Sequence, residues 1–158
     1  MKILIIGRKR NGKSELAKAL VRHLDDAVSV GTSEYLIYRL ALIHGITEEA
    51  IYNLKERYRP ELIKLGNDMC DTDPGCLVSI ALWGVDSKHV IVDGVRRTCE
   101  YEVVRPWFDL VIWVDRPDID DREDNCELNM SHADHVVSNT GNLTDLNNLA
   151  AMMVEGLT

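Results

Sequence analysis

The sequence predicts an α/β protein: a five-stranded parallel sheet with helices on both faces, in three layers. Three observations predict it. Short apolar runs alternate along the chain with segments of helical period. The runs are apolar on both faces, as strands buried on both sides must be. The chain has 158 residues, 46% apolar and 28% charged, enough for one domain to bury a core without staples.

The elements follow in order. Residues 2–6 (Lys-Ile-Leu-Ile-Ile) read as a buried strand. From Lys13 the period turns helical, with Leu16, Ala17, Leu20 and Leu24 on one face. A second strand fits Ala27 to Val30. Ser33 is the expected N-cap of a helix through about His44, and Thr47 that of another. A further helix is expected to begin near Pro60, proline being suited to a first helical turn. Asp73-Pro74 repeats this signal before a helix to about Trp83. Then come a strand over His89 to Val92, a helix over Thr98 to Val104, a strand over Leu110 to Val114 and a short one at Val136-Val137. Leu143, Leu146, Leu149, Ala150 and Met153 mark a closing helix. Trp83, Trp107 and Trp113 are expected in the core. Tyr35, Tyr38 and Tyr52 are read as packing residues, with a place in a ligand pocket as the alternative.

Charge narrows the function. With 26 acids against 18 bases the net charge is −8, which argues against a nucleic-acid backbone as main partner. The first fourteen residues nevertheless carry Lys2, Arg8, Lys9, Arg10 and Lys13 and no acid, a small positive pole suited to a small anion. Cys70, Cys76, Cys99 and Cys126 have no metal-site spacing and read as reduced thiols of a cytoplasmic protein. No secretory signal and no membrane-length run is present, so no membrane partner is expected. A monomer or a homodimer fits equally.

Between the first strand and the first helix stands Gly7-Arg8-Lys9-Arg10-Asn11-Gly12-Lys13-Ser14, the G-x-x-x-x-G-K-S phosphate-binding loop in the context it requires. Gly7 and Gly12 let the backbone curl so that successive N–H groups, from Arg10 and Asn11 onward, face phosphate oxygens. The following helix adds the positive end of its dipole. Lys13 is a mobile charge for the β- and γ-phosphates, and the Ser14 hydroxyl a ligand for Mg²⁺. The loop therefore predicts ATP and Mg²⁺ as cofactors. No D-x-x-G or N-K-x-D of a GTPase follows.

Asp93 ends the third buried strand, where ligands of open α/β sheets sit, and is placed to hold the metal's water opposite Ser14. Arg96 and Arg97 can present forked donors to a second phosphate. Asp93-Gly94-Val95-Arg96-Arg97-Thr98 resembles the D-G-F-P-R-T of adenylate kinases, with Arg97 at the acceptor-phosphate arginine. It also resembles the D-V-R-x-x-x-E of phage-type deoxynucleotide monophosphate kinases, with Arg96 and Glu100 in register. Residues 58–68 are similar to that family's R-x-x-L-Q-x-x-G-T-D segment, and residues 133–143 to its A-D-x-V-I-x-N-x-G-x-L ending, which packs near the donor adenine and brings in Asn139.

The resemblance implies a single P-loop kinase domain over residues 1–158, with acceptor-binding helices at 33–70 and a short lid at 115–131. It implies transfer of the ATP γ-phosphoryl to a nucleoside or deoxynucleoside monophosphate, and a phage protein of the host cytoplasm. Arg39 sits where such kinases place another acceptor arginine, and Arg116 and Arg122 are the lid's candidate catalytic cations beside Lys13, Arg96 and Arg97. The chain departs from the family at Cys70 and Asp71, where an arginine often stands, and in a lid whose residues 115–127 hold seven acids and two bases. Two alternatives stay open. One is a P-loop kinase with a hydroxyl acceptor, of dephospho-coenzyme A or shikimate type, for which Glu34 would be the base. The other is a nucleotide-binding regulator without turnover.

Overall fold

The computed structural model describes residues 1–119 and 125–157. Five strands, β1 (Lys2–Ile6), β2 (Ala27–Gly31), β3 (His89–Asp93), β4 (Leu110–Asp115) and β5 (His135–Ser138), form one sheet in the order β2-β3-β1-β4-β5, every pairing parallel. The chain passes to one side of β1 for β2 and β3 and to the other for β4 and β5. Ligands bind at such a reversal, beyond the carboxyl ends of the strands.

Each face of the sheet is covered. Alternate residues Ile3 and Ile5 of β1, with Ile112 and Val114 of β4, pack under α1 (Lys13–His23) and α7 (Leu143–Leu157) through Leu16, Leu20, Leu146 and Ala150. The other alternation, Leu4, Ile6, Val90 and Val92, packs under α5 (Cys76–Leu82) and α6 (Thr98–Val104) through Val78 and Val104. This two-sided burial is why the strands carry no polar face. A third cluster joins α2 (Thr32–His44), α3 (Glu48–Asn53), α4 (Lys55–Thr72) and α5 through Leu36, Leu40, Ile51, Leu62 and Leu77. The expected architecture is thus observed, and the helices at 33–70 form a layer of their own beside β2.

Three local expectations need correction. The α2 helix starts at Thr32 with Gly31, not Ser33, as its cap, because the Glu34 carboxylate turns back to accept the Gly31 N–H at 3.3 Å. The α4 helix begins at Lys55, so Pro60 lies inside it. The Arg57 and Tyr58 N–H groups both bond to the Leu54 carbonyl and start the helix before the proline is reached. Of the three tryptophans only Trp113 is core; Trp83 is 87% exposed beyond the end of α5, and Trp107 lies in a surface turn.

The β3–α6 turn depends on Gly94. Its φ is +111°, a value L side chains rarely adopt, and a Cβ there would collide with the Thr32 side chain at the start of α2. Gly94→Ala should therefore cost about 3 kcal/mol, from the backbone conformation and the overpacking together. Urea denaturation tests this, and a loss under ~1 kcal/mol would show that the turn relaxes freely.

Candidate active site

The first strand ends where the loop begins, and the loop is braced from behind. The buried Asn11 side chain donates to the Val114 carbonyl of β4 at 2.8 Å. The buried Asn139 side chain, just past β5, donates to the Asn11 carbonyl at 2.9 Å. Gly12, at φ +92°, lies against the Asn139 amide with no room for a Cβ. Arg10 also takes a left-handed conformation, at φ +63°. Asn11 and Asn139 thus fix the loop's curl from its buried side, and their side chains are committed to backbone carbonyls. Asn139→Ala would leave a buried carbonyl without its donor and should cost ~1–3 kcal/mol. A denaturation midpoint equal to that of wild type would show that this brace carries no weight.

Lys13 folds over the loop, its ammonium donating to the Arg8 carbonyl at 2.6 Å. The Ser14 hydroxyl donates to Asp93 Oδ2 at 2.7 Å. These two residues are 79 apart in sequence; they meet because β1 and β3 are neighbours, with Ile5 beside Asp93. Asp93 in turn lies beside Gly31 of β2, where a side chain would press on its carboxylate. A hydroxyl and a carboxylate are hard oxygen donors of the kind Mg²⁺ accepts, with its remaining positions left to water and phosphate. The pair fits that ion.

A cleft of about 450 Å³ opens in front of the loop. One wall is the loop itself with Arg10, Lys13 and Ser14; another is α4, bearing Lys55, Arg59 and Asn67. The β3–α6 turn contributes Asp93, Arg96 and Arg97, and Arg116 stands where β4 ends. Leu36, Leu62 and Leu77 make its apolar floor. A second cavity of about 500 Å³ lies between α1, β2, α2 and α3, and shares Ser14, Ser33, Lys55 and Asp93 with the first.

Most of the expected site residues converge here. Arg97 points to α4, its Nη2 donating to Asp71 Oδ1 at 2.7 Å and its Nη1 to the Asn67 carbonyl at 3.4 Å. Asp71, at the position where the resembled family often carries an arginine, is thus the partner of one. Arg96 Nη1 donates to Asn125 Oδ1 at 3.1 Å. The expected lid is anchored at its described end: the Glu127 N–H bonds to the Arg96 carbonyl, its carboxylate accepts the Thr98 N–H, and Leu128 is buried. Arg122 lies outside the described residues. Arg39 is not in the cleft; it is exposed on α2, donating to the Tyr35 hydroxyl at 3.1 Å. None of the three tyrosines lines the cleft, and Tyr52 lines only the second cavity.

Sequence reasoning missed Lys55 and Arg59. Arg59 is the arginine of the resembled R-x-x-L-Q-x-x-G-T-D segment but is given no role there, and Lys55 has no signal until the helix is begun at Lys55 rather than Pro60. Burial pushes the Lys55 ammonium below its usual value, and the neighbouring Arg96 guanidinium adds to this.

Glu100, on the first turn of α6, is 3% exposed. Its Oε2 accepts the Arg96 N–H at 3.3 Å, while the buried Oε1 has no hydrogen-bond partner. Burial pushes its carboxyl up to about 7, against the pull of those backbone donors and of the two arginines. Beneath it the Cys70 thiol is pushed up to about 12 by burial and by Glu100 itself. An acid that binds its proton more tightly when folded loses stability as pH rises from the unfolded value of about 4.5 through 7. Glu100→Gln should abolish that loss, so the variant gains on wild type between pH 5 and pH 8. Melting curves at both pH values decide it; an equal offset at the two would mean that Glu100 ionises as freely as in the unfolded chain.

No protein-family model matches the chain. Among solved structures, the protein TT1252 from Thermus thermophilus aligns over 100% of this chain and 98% of its own, at 17% identity and a TM-score of 0.54. A shikimate kinase from Aquifex aeolicus aligns over 99% and 98%, at 16% identity and 0.51. The likeness is one of fold. The chain has the three-layer P-loop kinase fold. Its sheet, its loop and the helices beside β2 belong to that plan.

Proposed function

We propose that the protein is an ATP-dependent kinase whose acceptor is a nucleoside or deoxynucleoside monophosphate. The observation that carries this reading is the cationic wall opposite the loop: Arg59, Arg96 and Arg97 line the cleft that also holds Lys13, Ser14 and Asp93. One anion, the triphosphate, accounts for the loop. A second, a phosphomonoester, would match the forked donors of the guanidinium groups on the far side, Arg97 exchanging Asp71 for it.

The chemistry asks little more of the chain. The acceptor oxygen is already anionic at neutral pH, so transfer needs no base: the bond from the γ-phosphorus to the β,γ-bridging oxygen breaks as the bond to the acceptor oxygen forms, and ADP leaves. Catalysis is then positioning and charge neutralisation. Lys13 would move from the Arg8 carbonyl to the β- and γ-phosphates. Ser14 and Asp93 would hold Mg²⁺, which neutralises phosphate charge when bound. Arg96 and Arg97 would keep the acceptor phosphate in line, and Arg116 would cover the donor side. The apolar floor of Leu36, Leu62 and Leu77 would take the acceptor's nucleoside.

A hydroxyl acceptor would call for a carboxylate at the end of β2. Glu34, the residue available, turns back to cap Gly31 and lines the second cavity. That geometry favours the phosphate acceptor.

The decisive assay offers ATP, Mg²⁺ and each common ribo- and deoxynucleoside monophosphate, and measures diphosphate formed. Turnover is expected with at least one, and Arg96→Ala and Arg97→Ala should each lower kcat/KM for that acceptor by about tenfold or more while ATP binding persists. Absence of diphosphate with every acceptor, in protein that binds ATP, would sink the reading. Unchanged turnover in the double variant would remove the two arginines from it.

A further inference from the structure

Lys55 stands at the waist between the two cavities, in company with Ser14, Ser33 and Asp93. It opens α4, where the chain turns from α3 into the long helix that walls the cleft. Its surroundings are unusual for a half-buried lysine. Glu56, the next residue, is taken by Lys9 of the loop at 2.9 Å. Asp93 is engaged by the Ser14 hydroxyl. Among the described residues no carboxylate comes within ion-pair distance of the Lys55 nitrogen, which lies over the face of the Tyr52 ring, 5.5 Å from its centroid. On the cleft side it faces two more cations, Arg96 across the cleft and Arg59 one turn along α4, while the Asp93 carboxylate, and more weakly Glu56, act on it with opposite charge.

A partly desolvated ammonium with no carboxylate in ion-pair contact, beside two guanidinium groups, is costly. The arrangement becomes favourable when a multiply charged anion enters, because one phosphate then neutralises several charges at once. We propose that Lys55 is a catalytic residue that binds the acceptor phosphate, closing with Arg59 and Arg96 a three-cation cradle at the point where donor and acceptor meet. This rests on the kinase reading above and extends it to a residue for which the sequence motifs make no provision. Lysine suits the position: a compact, mobile charge can follow an oxygen as the phosphorus changes partners, whereas a guanidinium fork fixes one geometry.

Binding separates this inference from the reading it rests on. Inorganic phosphate is titrated calorimetrically into the full chain, with the loop saturated by Mg²⁺ and β,γ-methylene ATP, for wild type, Lys55→Met and Lys55→Arg, with melting curves as the check on folding. Lys55→Met should bind phosphate about tenfold more weakly or worse, and Lys55→Arg should restore most of the loss. Should the methionine variant misfold, Lys55→Gln takes its place. Phosphate binding within twofold of wild type in the neutral variants would overturn the proposal, as would absence of phosphate binding to wild type. In the diphosphate assay, the neutral variants should raise the acceptor KM and lower kcat, leaving the ATP KM within twofold. Lys55-dependent phosphate binding in a protein that phosphorylates no monophosphate would retain the cradle and discard the kinase reading.

Discussion

The site depends on one adjacency, β3 lying against β1. The loop leaves β1 and Asp93 ends β3, so their parallel pairing brings the Ser14 hydroxyl and the Asp93 carboxylate to 2.7 Å across a sequence gap of 79 residues. Both strands are buried on both faces, which fixes their register: a one-residue slip would turn Leu4 and Ile5 to the wrong helix layers. The packing that stabilises the sheet is therefore also what positions the oxygen pair. Gly31, at the end of β2, completes the arrangement by leaving room for the carboxylate.

The loop shows the same economy on its hidden side. A chain that curls around phosphate turns its N–H groups inward and must satisfy its remaining polar groups elsewhere. Here Asn11 reaches β4 and Asn139 reaches back to the loop, so two buried amides tie three segments together. Rigidity matters because preorganised donors cost no reorganisation during reaction. Thr32 and Gly94 do for the opposite wall of the cleft what the asparagines do for the loop: their close contact docks α2 on the β3–α6 turn that carries Arg96 and Arg97.

How much of this was legible in the sequence follows from the range of the interactions involved. The central strands, buried on both faces, announce themselves as apolar runs, and all five strands were placed, the second, third and fourth each ending one residue short and the fifth lacking one residue at either end. The G-x-x-x-x-G-K-S motif is a local backbone device and reads directly. Asp93 could be placed because strand ends in such sheets are where ligands bind. The α4 helix was misread because proline at Pro60 resembles a first-turn signal, and its true start is set by Leu54, whose carbonyl accepts two N–H groups. Starting the helix five residues late hid Lys55 and Arg59. Arg39 failed for the opposite reason: helical spacing says nothing about which of two polar faces will meet a cleft, and Tyr35 holds it outside. The Arg97–Asp71 pair was beyond reach, since only tertiary packing decides that α4 passes beside the β3–α6 turn.

The distribution of charge ties the fold to its chemistry. The chain is acidic overall, at −8, yet the described walls of the cleft bring together Lys13, Lys55, Arg59, Arg96, Arg97 and Arg116. Like charges so close repel, and the cost is borne by the apolar clusters that hold α4, the loop and the β3–α6 turn in place. Such a focus of positive potential in a negative surface concentrates its field at one opening. Glu100 beneath the arginines holds its proton in spite of this field, because it is buried. A buried carboxylate there would cancel charge needed in the cleft, and its burial raises its affinity for a proton enough to offset the pull of Arg96 and Arg97. An acid that binds its proton this tightly adds less negative charge beneath the cleft than an exposed carboxylate would, so the positive field there is largely kept.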